Sequence, residues 1–332
     1  MTEKRNLTIK EFARLLGVST ATVSRAFSDK GRISGKTRQR IVAEAERLGY
    51  HANVHARSLS RNESGGIMLF YPTVNVDEPD YFINEIMTGL NSALHRLGQP
   101  LQINPYAADS DAEFESCRRR ILDGSTGGVI VVAGDRRAAE LAQLARRRGL
   151  AYVVVGHMKG MESNTVWFDN EYGAFLAGKY FRDINRRHPA FIGGVLDKRK
   201  RRGFMRGLGL SGEEVIFVPG GSGFRKGAQA LEWLLSAHPD VDCVLCANDV
   251  LAIGLIKAAL QRQIAIPQRL SVIGFDDLRF SRQFTPALSS VSLNLFEIGT
   301  AAVAMLSRQL QEGKNTLPSE IIECDLVLRE SS

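Results

Sequence analysis

Thr20, Ala21, Ser24 and Arg25 are the residues of this 332-residue chain whose types and spacing most directly suggest chemistry. They share the outer face of a short helix predicted after Gly17, a face that is small, hydroxylated and tipped by one guanidinium. Such a surface suits insertion into the major groove of a duplex. The elements that would position it are legible nearby. Ile9, Phe12, Ala13 and Leu16 recur at helical spacing and give a first helix one apolar face. Gly17 lets the backbone reverse, and Val18 plugs the angle between the helices. Ser19 is placed to cap the second helix, whose inner face is Val23, Ala26 and Phe27. A third helix is expected from Lys36 to about Leu48, capped by Ser34, with Thr37, Ile41, Ala45 and Leu48 turned inward. The pattern alone also describes an ordinary helical hairpin.

Charge separates the two readings. Residues 1–62 hold thirteen Lys or Arg against five Asp or Glu, a balance of +8, whereas the whole chain is +7. The excess therefore coincides with the groove-sized helix pair. Phosphate neutralisation requires such a concentration, because each docked cation releases a condensed counterion. DNA binding is the better reading. Asn53 is placed to cap one or two helical turns ending near Ser60, a segment too short to be stable alone. Glu63-Ser64-Gly65-Gly66 then marks a linker.

Past residue 66 the texture changes. Strands are expected at Gly66–Tyr71, Leu101–Asn104, Gly127–Val132, Ala151–Val155, Ala190–Gly193, Val215–Val218, 241–246 and Leu270–Phe275, with helices between them and a last strand at Ile321–Leu328. One of those helices is expected to begin at Arg202. Continuous apolar strands alternating with helices imply parallel sheets covered on both faces. The rhythm restarts after Trp167, so the fold class is α/β: two doubly wound lobes behind a small all-α helix-turn-helix headpiece. The default ligand site is the cleft between the lobes, at the carboxyl ends of the strands.

Enzyme signatures are missing. No G-x-G-x-x-G opens a helix after a strand, and Gly220-Gly221-Ser222-Gly223 lacks that spacing and is expected at the cleft mouth. There is no P-loop, H-E-x-x-H or G-x-S-x-G, and the six histidines are dispersed. Cys243 and Cys246 have C-x-x-C spacing inside an apolar strand, with no second pair to complete a zinc site, so buried free thiols are expected. No catalysis, metal or cofactor is expected. With 44% apolar and 24% charged residues the composition is that of an ordinary globular protein. No apolar run approaches the roughly 20 residues that span a membrane. Met1-Thr2-Glu3-Lys4-Arg5-Asn6 leads into no apolar secretion segment, so a cytoplasmic location is expected.

Taken together, the residues resemble the lactose/galactose repressor (LacI) family of bacterial transcription regulators over essentially the whole chain. The carrying motifs are Thr8-Ile9-Lys10-Glu11-Phe12-Ala13 through Ala21-Thr22-Val23-Ser24-Arg25, and Gly49-Tyr50-His51-Ala52-Asn53 through Ala56-Arg57-Ser58-Leu59. Downstream they are Cys246-Ala247-Asn248-Asp249 through Gly254, Ile266-Pro267 through Ser271-Val272-Ile273-Gly274-Phe275-Asp276-Asp277, and Thr285-Pro286-Ala287-Leu288-Ser289-Ser290-Val291. The two lobes are similar to periplasmic sugar-binding proteins.

The resemblance implies a division of labour. Residues 1–62 would be the DNA-binding headpiece, with a hinge helix at about 53–60. Residues 66–330 would bind an effector and dimerise, with a first lobe at about 66–165 and 294–322 and a second at about 166–293 and 323–329. Thr20, Ala21 and Arg25 match base-reading positions, and the guanidinium fork suits a guanine edge. Thr8, Ser19, Thr22, Ser24, Ser34 and Thr37 match phosphate-contacting positions, although their hydroxyls also suit capping. Leu59 matches the leucine that wedges into the minor groove, with Asn53 and Ala56 beside it in the hinge. Ala52 departs from the family's frequent proline.

For the effector, a sugar, sugar acid or sugar phosphate, the resemblance points to Tyr81, Phe82, Asp169, Asn248 and Asp276. Asp169 and Asp276 also fit as helix caps, and Tyr81 as core. Counting back three residues from Gly203 reaches Lys200, inside the run Lys198-Arg199-Lys200-Arg201-Arg202. That run suggests an anionic effector, and it also reads as a solvated turn. The expected partners are an operator duplex, the effector and a second copy of the chain. A dimer is expected, since no heptad tail precedes Ser332.

Overall fold

The apolar alternation seen in the sequence closes into three separate cores. The structure, a computed structural model, describes residues 9–26, 33–48, 66–73, 79–123, 126–158, 160–194, 197–211, 214–221 and 223–332. The chain divides into two compact units, residues 1–65 and 66–332. Expectations for Thr8, Phe27, Asn53, Ala56 and Leu59 lie outside the described residues.

In the first unit, α1 (Ile9–Leu16), α2 (Thr20–Ala26) and α3 (Gly35–Leu48) surround Phe12, Ala13, Val23, Ala26, Ile41 and Ala45. Leu16, Val18, Ile33 and Leu48 pack at its edge. Gly17 takes a φ of 67°, a left-handed conformation that costs glycine little, and this lets the Val18 amide reach back to the Ala13 carbonyl at 3.0 Å.

The second unit holds two six-stranded sheets. The first sheet orders β1 (Ile67–Thr73), β2 (Leu101–Ala107), β3 (Gly128–Val132), β4 (Tyr152–Val155), β5 (Thr165–Phe168) and β11 (Glu320–Ile322) as β11-β5-β4-β3-β1-β2, all parallel. The second orders β6 (Pro189–Gly193), β7 (Ile216–Pro219), β8 (Cys243–Cys246), β9 (Ser271–Asp276), β10 (Ser289–Ser292) and β12 (Asp325–Val327) as β12-β10-β9-β8-β6-β7. Only β12 in this sheet runs antiparallel. The helices are α4 (Tyr81–Arg96), α5 (Asp111–Leu122), α6 (Arg136–Arg147), α7 (Asn170–Asp183), α8 (Lys198–Leu208), α9 (Phe224–Ala237), α10 (Asp249–Gln261) and α11 (Leu295–Glu312).

Three expectations are corrected. The last strand expected at Ile321–Leu328 is two strands, β11 and β12, in different sheets, because the chain crosses between lobes at residues 323–324. The strand β5, which carries Trp167, belongs to the first sheet, so the first lobe extends past the boundary expected at residue 165. The helix expected at Arg202 begins four residues earlier, at Lys198. The basic run is therefore helical, because straight-chain Lys and Arg are good helix formers.

Helix α8 lies against α7 at unusually close range. A β-carbon at Gly203 would sit 1.9 Å from the Glu171 carbonyl oxygen, and one at Gly207 would sit 2.2 Å from the Phe175 carbonyl oxygen. The backbones touch, so only glycine fits. All four cysteines are buried and unpaired. No helix among the described residues is long and apolar enough to cross a membrane. Gly203→Val should destabilise the larger unit by about 3 kcal/mol through overpacking, read from the urea midpoint. An unchanged midpoint would contradict the backbone contact.

Candidate DNA-binding face and effector cleft

On the headpiece, Ser19 caps α2 by accepting from the Thr22 amide at 3.1 Å, with the two hydroxyls 2.9 Å apart. Ser34 caps α3 in the same way through Thr37, at 3.2 Å and 2.7 Å. The capping reading thus holds for both serines, and both residues remain exposed. Thr20, Ala21 and Arg25 are exposed on α2 while Val23 and Ala26 are buried, so the outer face of α2 is free of packing. Ser24 lies on the same helix. Arg40 ties the frame by donating to the Leu16 carbonyl at 3.1 Å.

In the larger unit, a cavity of about 340 Å³ opens between the lobes at the carboxyl ends of both sheets. The turns after β1, β5, β6, β8 and β9 all feed it, as open α/β sheets require. Tyr81 and Phe82 reach it from the first turn of α4, whose cap Asp80 accepts from the Ile83 amide at 3.0 Å. Asn248 caps α10 through the Leu251 amide at 2.8 Å and also lines the cavity. Lys200 and Asp276 complete the sequence-derived set. Asp169 does not line it. Its carboxylate caps α7 through the Glu171 and Tyr172 amides and faces Arg199 at 3.3 Å, and its neighbour Asn170 is the lining residue. Sequence reasoning missed Asp80, Asn170 and Asp197, all polar residues in the turns that follow strands.

The five consecutive cations that open α8 separate. Arg199 stacks on Trp167 at 5.0 Å, Arg201 covers Phe217 at 4.6 Å, and Arg202 pairs with Glu171. Lys198 is exposed. Lys200 alone of the five lines the cavity, and its ammonium is already engaged. It donates to the Ala247 carbonyl at 2.6 Å, lies 3.6 Å from Asp197 and sits 4.2 Å over the Phe275 ring.

Asp276 is the unusual group. It is only 7% exposed, and no hydrogen bond from a described residue reaches its carboxylate. Burial pushes its proton affinity well up, against the opposing pull of Lys200. Its φ of 109° and that of Asp277, 53°, are conformations that non-glycine residues adopt only when the surroundings impose them. The imposing contacts are present. Asp277 accepts from Arg329 at 2.6 Å and its amide donates to Ser290 at 3.0 Å. The next amide, Leu278, donates to Asp249 at 2.8 Å.

Asp249 is the hub of that web. Fully buried, it also accepts from Ser281 at 2.6 Å and Ser290 at 2.5 Å. Burial dominates these stabilising bonds and raises its pKa to about 7. Across the cleft, Tyr81 of the first lobe meets Phe280 at 4.7 Å and Phe224 at 6.4 Å. Glu85 pairs with Arg279 at 2.9 Å, adding an ion pair to the aromatic contact between the lobes.

A helix-turn-helix headpiece in one unit, and two parallel-sheet lobes around a ligand-sized cleft in the other, define the class: a ligand-responsive DNA-binding regulator. The sequence comparisons agree. Residues 8–53 match the model of bacterial regulatory proteins, lacI family, and residues 180–332 match a periplasmic binding protein-like domain. The chain is 28% identical to the HTH-type transcriptional repressor CytR of Escherichia coli (strain K12), over 98% of this chain and 96% of that one. It is 26% identical to catabolite control protein A of Priestia megaterium, over 96% of each. Its fold matches the lac repressor dimer bound to operator and the anti-inducer ONPF, with a TM-score of 0.84 at 20% identity over 98% and 99% of the two chains. It also matches a transcriptional regulator CelR–cellobiose complex, with a TM-score of 0.71 at 22% identity over 98% and 100%. Along its whole length the chain is thus similar to bacterial regulators of the LacI type, with the lacI-family match confined to residues 8–53.

Because the native state keeps a proton on Asp249 that the unfolded chain releases, its contribution has a defined sign. Between pH 3.8 and about 7 the native state binds more protons, so unfolding free energy falls as pH rises through that window. Asp249→Asn should preserve the web, since the hydroxyls of Ser281 and Ser290 can turn to suit an amide. It should also flatten the pH dependence of the denaturation midpoint there. An unaltered slope would show that Asp249 does not carry it.

Proposed function

We propose that the protein is an effector-responsive repressor that binds a pseudo-palindromic operator as a homodimer in the cytoplasm. The observation that carries the reading is the bare outer face of α2, with Thr20, Ala21 and Arg25 exposed on a segment of charge +8. Arg25 and its neighbours read base edges, and Ser19, Thr22, Ser24, Ser34 and Thr37, with Thr8, face phosphates. Leu59, flanked by Asn53 and Ala56, is assigned the minor-groove wedge. The dimer rests on the lac repressor dimer, whose fold this chain shares.

The effector is a small polyhydroxylated molecule held by Tyr81, Phe82, Lys200, Asn248 and Asp276. Support comes from the cavity size, from the CelR–cellobiose complex, and from a relative named as a ribose operon repressor. Asp169 serves the site indirectly, by anchoring Arg199 and the start of α7. A ligand alters operator affinity only by binding one lobe arrangement better than another. The Tyr81 wedge and the Glu85–Arg279 pair are the contacts such a rearrangement would break or remake.

A gel-shift titration with the flanking promoter DNA tests the reading. Wild-type protein should shift a twofold-symmetric fragment with strong salt dependence. Arg25→Ala should weaken the shift by roughly ten- to hundredfold, the value of one bidentate base contact. Equal affinity of Arg25→Ala and wild type would overturn the contact assignment, and a shift indifferent to salt would overturn DNA recognition itself. Arg279→Ala should leave operator affinity without effector within the same range while changing the effector concentration needed to alter operator binding. An identical effector response would remove the lobe–lobe pair from the mechanism.

A further inference from the structure

The charged groups that line the cleft are mostly carboxyls, set among apolar and aromatic side chains. Asp80, Asp197 and Asp276 bring three carboxyl groups to one cavity of about 340 Å³. Asn170 adds a side-chain oxygen that is buried and has no partner. Against these stands one cation, Lys200, whose ammonium is already spent on the Ala247 carbonyl, on Asp197 and on the Phe275 ring. Arg199, Arg201 and Arg202 are turned to Trp167, Phe217 and Glu171, Lys198 is exposed, and none of the four lines the cavity.

Two observations show that this is a site awaiting donors, beyond a mere cluster of acids. Asp276 is more than nine-tenths buried, lines the cavity and accepts no hydrogen bond from a described residue. The orphaned Asn170 oxygen is the second. Buried acceptors left unmatched are costly, and a ligand that supplies N–H or O–H groups removes that cost. A negatively charged ligand would instead bring a further negative charge beside three carboxyl groups that one engaged ammonium only partly offsets.

We infer that the effector is a cation: a small polyhydroxylated or cyclic molecule with a protonated nitrogen placed between Asp276 and Asp80. The aromatic faces of Tyr81 and Phe82, which line the same cavity, add the favourable surface that a partly desolvated cation finds over an aromatic ring. This assignment rests on the cleft being the effector site, and it reverses the anionic effector that the basic run Lys198–Arg202 suggests in the sequence.

The test compares matched triads on one ring with the full-length protein, by calorimetry and thermal shift. The probes are glucosamine, glucose and glucuronate, then galactosamine, galactose and galacturonate, then mannosamine, mannose and mannuronate. In at least one triad the amine should bind about tenfold or more tighter than the alcohol, the acid should not bind, and Asp276→Asn should abolish the amine's advantage. Tighter binding of an alcohol or acid, or no binding by any amine, would overturn the cation assignment. Should an alcohol bind and lose affinity in Asp276→Asn, the effector cleft stands while its charge preference falls. Should Asp276→Asn change neither ligand binding nor ligand-driven operator release, the cleft itself is wrongly placed.

Discussion

A single buried carboxylate holds the ligand-facing turn of the second lobe in shape. Asp249 begins α10, yet its oxygens serve the chain that follows β9, accepting from Leu278, Ser281 and Ser290. Gly274 on β9 makes room for it, since a β-carbon there would sit 2.2 Å from the carboxylate. With Arg329 clamping Asp277, this web forces two successive aspartates into positive φ. The strained backbone is what presents Asp276 to the cavity with no hydrogen-bond partner among the described residues. Strain of this kind survives only where surrounding contacts over-determine it.

The same economy of contacts explains the cations of α8. A helix disperses consecutive side chains around its axis at 3.6 residues per turn, so five adjacent basic residues cannot share one target. Arg199 and Arg201 find aromatic rings and Arg202 finds Glu171, leaving Lys200 alone to face the cleft. The direction of α8 is in turn set by the glycine contact with α7, where Gly203 and Gly207 let two backbones meet. Packing geometry thereby decides the electrostatics of a site some residues away.

Between the lobes, the contacts are few and mixed. Tyr81 against Phe280 and Phe224, together with Glu85 and Arg279, join surfaces that otherwise flank the cavity. The pair has one partner more than half exposed, so it is screened and modest in strength. Weak, reversible contacts of this type suit an interface that must rearrange when a ligand of a few hundred cubic ångströms enters.

Much of this protein was written in its local pattern. The 3.6-residue repeat of Phe12, Ala13 and Leu16, the reversal at Gly17 and the serine caps are short-range effects, and they place α1 to α3 and the exposed Arg25 without reference to distant residues. The alternation of apolar strands and helices likewise declared two parallel sheets, because burial on both faces demands apolar runs. Tyr81, Phe82, Lys200, Asn248 and Asp276 were legible from motif resemblance, and the cavity brings all five together. Tertiary structure alone decided the rest. Whether Asp169 lines a pocket or caps a helix depends on which way one turn faces, and whether residues 320–327 form one strand or two depends on sheets built from far earlier in the chain. The contacts of Lys200 with Ala247 and Phe275, and the burial of Asp276, arise from residues tens of positions apart, a separation at which sequence periodicity carries no information about charge.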